Sequence, residues 1–121
     1  MEHKWKFRSR DYYLDMIFDD IEEIKGDKET LADWLNTDVR GNVCYLEDID
    51  NVLKGKSDEE IQWGNAYNSC VRKDFTEIHF NFEEDTPSVK PCTVPTKLLR
   101  EIVKAWLDEH EKFCASKREE K

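Results

Sequence analysis

The chain has 121 residues, a length that fits one domain with a core of its own. Charged residues make up 39% and the formal net charge is -9, yet four Trp, six Phe and four Tyr supply enough apolar mass to argue against disorder. The acidity is local: residues 11–60 hold sixteen acids against five bases, whereas residues 1–10 are basic and residues 61–121 nearly balanced. Such a field disfavours nucleic acid and anionic membrane and favours basic partners, so neither direct nucleic-acid binding nor membrane binding is expected.

In chain order, Lys4 to Arg8 alternate polar and apolar, which predicts a short strand. From Asp11, the residues Leu14, Ile17, Phe18, Ile21 and Ile24 recur at helical spacing and Gly26 follows, which predicts an amphipathic helix. A second helix is expected from Lys28 to about Asn36, capped by Asp27, with Leu31, Trp34 and Leu35 inward. "NTDVRGNVC" reads as irregular connection. A third helix carries Leu46, Ile49, Val52 and Leu53 and ends at Gly55.

From Ile61 the period becomes two, and Trp63, Tyr67 and Val71 are expected on one strand face. A turn at Lys73-Asp74 would set Tyr67 opposite Phe80 and Val71 opposite Thr76, placing both apolar sets on one side. Gln62, Asn68, Arg72, Glu77, His79 and Asn81 would then face solvent. "EEDTPSVKPCTVP" reads as a proline-punctuated loop, with Pro95 where a first helical turn tolerates it. Leu99, Ile102, Val103, Trp106, His110 and Phe113 mark the buried stripe of a long C-terminal helix. The expected class is α+β: a small, mainly antiparallel sheet with helices packed on it, in a single domain over residues 1–116 followed by a charged tail, 117–121.

No catalytic or metal motif stands out, and neither an enzyme nor a cofactor is expected. His3, His79 and His110 are too scattered for a zinc site, and "DIDNV" and "DEEIQWGN" lack the ligand ladder of a calcium loop. His79 is expected to pair with Glu77, and Cys44, Cys70, Cys92 and Cys114, with no C-x-x-C pair, to be reduced thiols of a cytoplasmic protein.

On the predicted helix from Asp11, Tyr12 and Met16 project opposite the apolar stripe, among Asp15, Asp19, Glu22 and Glu23. Apolar anchors ringed by carboxylates have the form of a small interface. The plain alternative is that Tyr12 packs under the first strand and the acids are solvated surface. Glu47, Asp48 and Asp50 form an auxiliary patch on the third helix, with Asp58 to Glu60 and Glu83 to Asp85 at the two ends of the strand region.

The run "YLEDIDNVLKGKSDEEIQWGNAYNSCVRKDFTEIHF", followed by "VPTKLLREIVKAW", resembles the bacterial immunity proteins of contact-dependent growth-inhibition systems, over about Asp33 to Trp106. The shared marks are Gly55, Gly64, Asn65 and Trp106, mainly of structural character. The resemblance implies a non-catalytic inhibitor that binds the C-terminal domain of a cognate toxin, an RNase or DNase with a basic substrate surface, and masks it. Contact residues vary between cognate pairs in that family, so none is carried over. The rival readings are an acidic adaptor unrelated to toxins and a hydrolase built on clustered carboxylates.

Overall fold

A computed structural model describes residues 5–119 and has an α+β architecture. Its main sheet has five strands in the order β3-β7-β6-β5-β4, every neighbouring pair antiparallel. The strands are β3 (Lys25–Gly26), β4 (Glu59–Trp63), β5 (Tyr67–Arg72), β6 (Phe75–Phe80) and β7 (Cys92–Pro95). A separate ribbon pairs β1 (Trp5–Ser9) with β2 (Leu14–Phe18). Three helices, α1 (Lys28–Trp34), α2 (Cys44–Leu53) and α3 (Thr96–Glu119), pack against the main sheet.

The β5–β6 register is the one the alternation dictates: Tyr67 lies opposite Phe80 and Val71 opposite Thr76. Tyr67, Ser69, Val71, Thr76, Ile78, Cys92 and Val94 are buried on the sheet face beneath the helices. From above they meet Leu31 and Trp34 of α1, Ile49 and Val52 of α2, and Leu99, Ile102, Val103 and Trp106 of α3. Twenty hydrophobic residues fall in this one buried cluster, and Met16 is among them.

α1 begins where Asp27 accepts the Glu29 backbone N–H at 2.9 Å, as an N-cap should. Its end is not the irregular connection expected. The chain widens into a π-type turn, Leu35–Val39, closed by Arg40 N–H on the Leu35 carbonyl at 2.8 Å, which keeps Leu35 and Val39 facing the core. α3 starts at Thr96, whose hydroxyl donates to the Arg72 carbonyl and whose N–H donates to Asp74 C=O at 3.1 Å. These bonds fix the long helix to the β5–β6 turn. Trp106 anchors its middle by donating Nε1–H to the Arg40 carbonyl at 2.8 Å.

Four expectations are corrected. The segment from Asp11 is not a helix: Leu14–Phe18 is β2, and Asp19 to Ile24 form an irregular turn that still buries Ile21 and Ile24. The long strand expected from Ile61 is two strands, because the chain turns at Gly64 to Ala66, so Trp63 lies opposite Asn68 and faces solvent while Tyr67 and Val71 are buried. Gln62 is buried rather than exposed; it accepts from Ser69 Oγ at 2.6 Å and donates to the Tyr45 carbonyl at 3.3 Å, joining β4 to α2. "CTVP" is not loop but β7, between β3 and β6. Of the predicted N-terminal strand, Lys4 lies outside the described residues, as does His3; at the other end, helix continues through residues 117–119 and the last two residues of the tail are outside as well.

Candidate acidic groove between the ribbon and the first helix

The strand conformation of Leu14–Phe18 redistributes the residues expected to form an interface. Side chains alternate across a strand, so Leu14, Met16 and Phe18 share a side, opposite Ser9, Phe7 and Trp5, while Asp15 and Ile17 point the other way. Met16 is only 1% exposed and belongs to the core; it is not a surface anchor. Tyr12, in the ribbon's tight connection, is 94% exposed and stands apart from Met16. Asp15 meets Arg8 across the ribbon at 2.9 Å. Asp19, Glu22 and Glu23 are all exposed on the turn that links β2 to β3.

The fold gathers a different set of carboxylates. A groove of about 920 Å³ runs between the ribbon and α1, and Asp15, Asp27, Glu29 and Asp33 line it. Arg8 and Lys28 are its cations; Tyr13, Ile17, Phe18 and Val89 give it an apolar floor and rim. Each cation is already engaged: Arg8 by Asp15, and Lys28 by Asp20 at 3.2 Å and the Asp19 carbonyl at 3.1 Å. The Lys28 bonds tie the acidic turn to the groove's end, so Asp19 and Asp20 continue its negative surface. Surface ion pairs of this kind hold geometry more than they stabilise, on the order of 0–1 kcal/mol each.

Deeper in the groove, Tyr67 Oη donates to Asp33 Oδ2 at 2.6 Å. Burial foremost, with Asp33 beside it, raises the Tyr67 pKa well above its ordinary value, so the phenol stays a neutral donor. It is a fixed hydrogen bond between β5 and α1, not an activated nucleophile. Asp38, one helical step further, accepts from Ala66 N–H at 3.2 Å and Tyr67 N–H at 2.8 Å and so holds the β4–β5 turn.

The auxiliary patch on α2 does not remain a set of free acids. Asp48 accepts from Gln62 Nε2 at 3.3 Å and Asp50 pairs with Arg100 of α3 at 2.6 Å; Glu47 is exposed. His79 meets Glu83 at 3.3 Å rather than Glu77, which Arg72 approaches at 3.4 Å. His110 lies 3.7 Å from Cys114 Sγ and stacks near Trp106; burial, with Arg40 nearby, lowers its pKa below 6.5. All four cysteines are free, and burial pushes Cys92 up to about 12, which leaves it an inert thiol. Among the described residues, no three His, Cys, Asp or Glu side chains group so as to hold a metal ion, and no helix is long and apolar enough to cross a membrane.

Sequence reading missed Asp27, Glu29 and Asp33 as one surface because their meeting with Asp15 depends on how the ribbon docks. The available signal was modest: Glu29 and Asp33 are four residues apart, on the side of α1 opposite Leu31. Comparisons of the chain with family models, with curated proteins and with solved structures found no match in any of the three.

Proposed function

We propose that the chain is an immunity protein, a non-catalytic inhibitor that binds the basic C-terminal domain of a cognate nuclease toxin and masks it. The observation that carries this reading is the gathering of Asp15, Asp27, Glu29 and Asp33 along one groove, with the exposed acids of the turn between β2 and β3, Asp19, Asp20, Glu22 and Glu23, tied to it through Lys28. A nuclease must present cations to a phosphate backbone, and an acidic inhibitor competes for the same cations. Long-range attraction speeds encounter; the exposed ring of Tyr12 and the apolar rim of the groove supply contact once charges have oriented the partners. The resemblance of residues 33–106 to contact-dependent growth-inhibition immunity proteins supports the same reading, as does the pairing of both cations that line the groove, Arg8 with Asp15 and Lys28 with Asp20.

The test is protection. Coexpression with the toxin encoded beside the gene restores growth and yields a one-to-one complex, and Asp19→Lys, Glu23→Lys and Glu29→Lys together abolish protection while leaving the melting temperature nearly unchanged. No protection and no complex removes the proposal. Stable binding to a basic protein without toxic activity replaces it with an adaptor role.

A further inference from the structure

The main sheet has two edges. β3 closes one with two residues; β4 forms the other, and among the described residues no further strand pairs with it. The bond from Gly64 N–H to the Tyr67 carbonyl at 2.9 Å sets the phase of the β4–β5 hairpin. In an antiparallel ladder, bonded and non-bonded pairs alternate, so the backbone groups of Gln62 and Glu60 face β5 and those of Glu59, Ile61 and Trp63 point away from the sheet. The side chains of Glu59, Ile61 and Trp63 also share the sheet face that the helices leave open. Ile61 is 57% and Trp63 73% exposed.

Edge strands normally carry charges, a proline or a bulge that discourages further pairing, and the charges of β4, Glu59 and Glu60, both lie at its start. Over Glu59–Trp63 there is no lysine, proline or bulge, and the five pairs with β5 run without interruption. Its geometry is held in place: Asn81 donates to the Gly64 carbonyl at 3.1 Å, and its own N–H donates to the Ala66 carbonyl at 2.8 Å. The charges beside the apolar stripe are acidic. Arg72 holds Glu59 at 2.9 Å, while no described cation engages Asp58 or Glu60. Two copies joined at this edge would bring together chains that each carry a net charge of -9. A cationic strand meets opposite charge.

We propose that β4 is a docking edge for an extended segment of a basic protein, one that adds a strand to the sheet. Apolar residues at alternate positions would continue the Ile61–Trp63 stripe, and the Lys or Arg between them, on the other face, would lie beside Glu60. No residue of β4 lines the acidic groove, so this edge stands or falls separately from the groove proposal.

The experiment uses the full chain and a short synthetic peptide of alternating valine and lysine, with a valine–glutamate peptide as its control. The lysine peptide should shift the amide resonances of Glu59 to Trp63, slow hydrogen exchange at Ile61 and Trp63, and move Trp63 fluorescence to shorter wavelength. Ile61→Lys and Trp63→Lys, both at exposed positions, should each weaken binding roughly tenfold or more. Absence of binding overturns the proposal, as do equal binding of both peptides and shifts confined to Asp15, Glu29 and Asp33. A dimer of the chain alone that Trp63→Lys dissolves also overturns it, by making the occupant a second copy.

Discussion

Both carboxylate oxygens of Asp38 accept backbone N–H groups from the start of β5, and Gly64 sits directly against that carboxylate. A Cβ at position 64 would overlap Asp38 Cγ and Oδ2, and Asp38 cannot yield without releasing Ala66 and Tyr67 N–H. Gly64→Ala should therefore cost on the order of 1–3 kcal/mol, the penalty of leaving such donors unpaired. In an Asp38→Ala background the overlaps with Cγ and Oδ2 are gone and only the close approach of the residue-38 Cβ, 2.8 Å, remains, so the same substitution should cost less; equal costs in the two backgrounds, measured by urea unfolding, would refute the coupling. His110 gives a second residue-scale test. Its folded pKa lies below the ordinary 6.5, so on acidification the unfolded chain takes up the proton first. Stability should fall as pH drops below about 6.5, and level off, for this group, once the folded-state pKa is passed. His110→Gln should remove that part of the pH dependence between pH 7 and 5; an unchanged slope would assign it to the carboxylates.

At the scale of elements, the hairpin β5–β6 and the buried stripe of α3 were legible because one pattern fitted one structure. Tyr67 and Val71 fall opposite Phe80 and Thr76 in a single hairpin register, and Leu99, Ile102, Val103 and Trp106 fit only the helical period. Leu14–Phe18 satisfies both. Leu14, Ile17, Phe18, Ile21 and Ile24 trace a helical stripe, while Leu14, Met16 and Phe18 trace a strand face, and the pairing of Phe7 with Met16 and Trp5 with Phe18 decides between them. That choice lies in β1, not in the segment itself, and it reverses which side of Met16 is wet. β7 escaped notice because Pro91 and Pro95 bracket it; its partners are supplied by β6 on one side and β3 on the other. The joining of α3 to the π-type turn rests on Trp106, which is buried and bonded to Arg40 C=O. Trp106→Ala should cost about 3–5 kcal/mol through the cavity and the unpaired carbonyl together. Trp106→Phe should recover most of the packing but not the bond. Thermal unfolding that leaves the alanine variant as stable as the parent would contradict the anchoring role.

For the whole molecule, the separation of charge along the chain becomes a separation in space only in part. The acids of residues 15–33 line one groove or the turn beside it, whereas Asp48, Asp50 and Asp38 are drawn into bonds that hold α2, α3 and the β4–β5 turn. Composition revealed the sign of the expected partner, but not which carboxylates remain to meet it. That depends on tertiary pairing: Asp50 has Arg100, fifty residues distant, and Asp15 has Arg8 across the ribbon. Net charge and local charge thus carry different information, and only the latter says which surface docks.

The most direct measurement is the association rate between the purified chain and the cognate toxin domain proposed for it, followed as ionic strength rises. Docking through the acidic groove requires fast association at low salt, a steep decline across the physiological range, and a rate roughly tenfold lower with a flatter decline in the Asp19→Lys, Glu23→Lys, Glu29→Lys variant. A rate indifferent to salt and to those three reversals would contradict it.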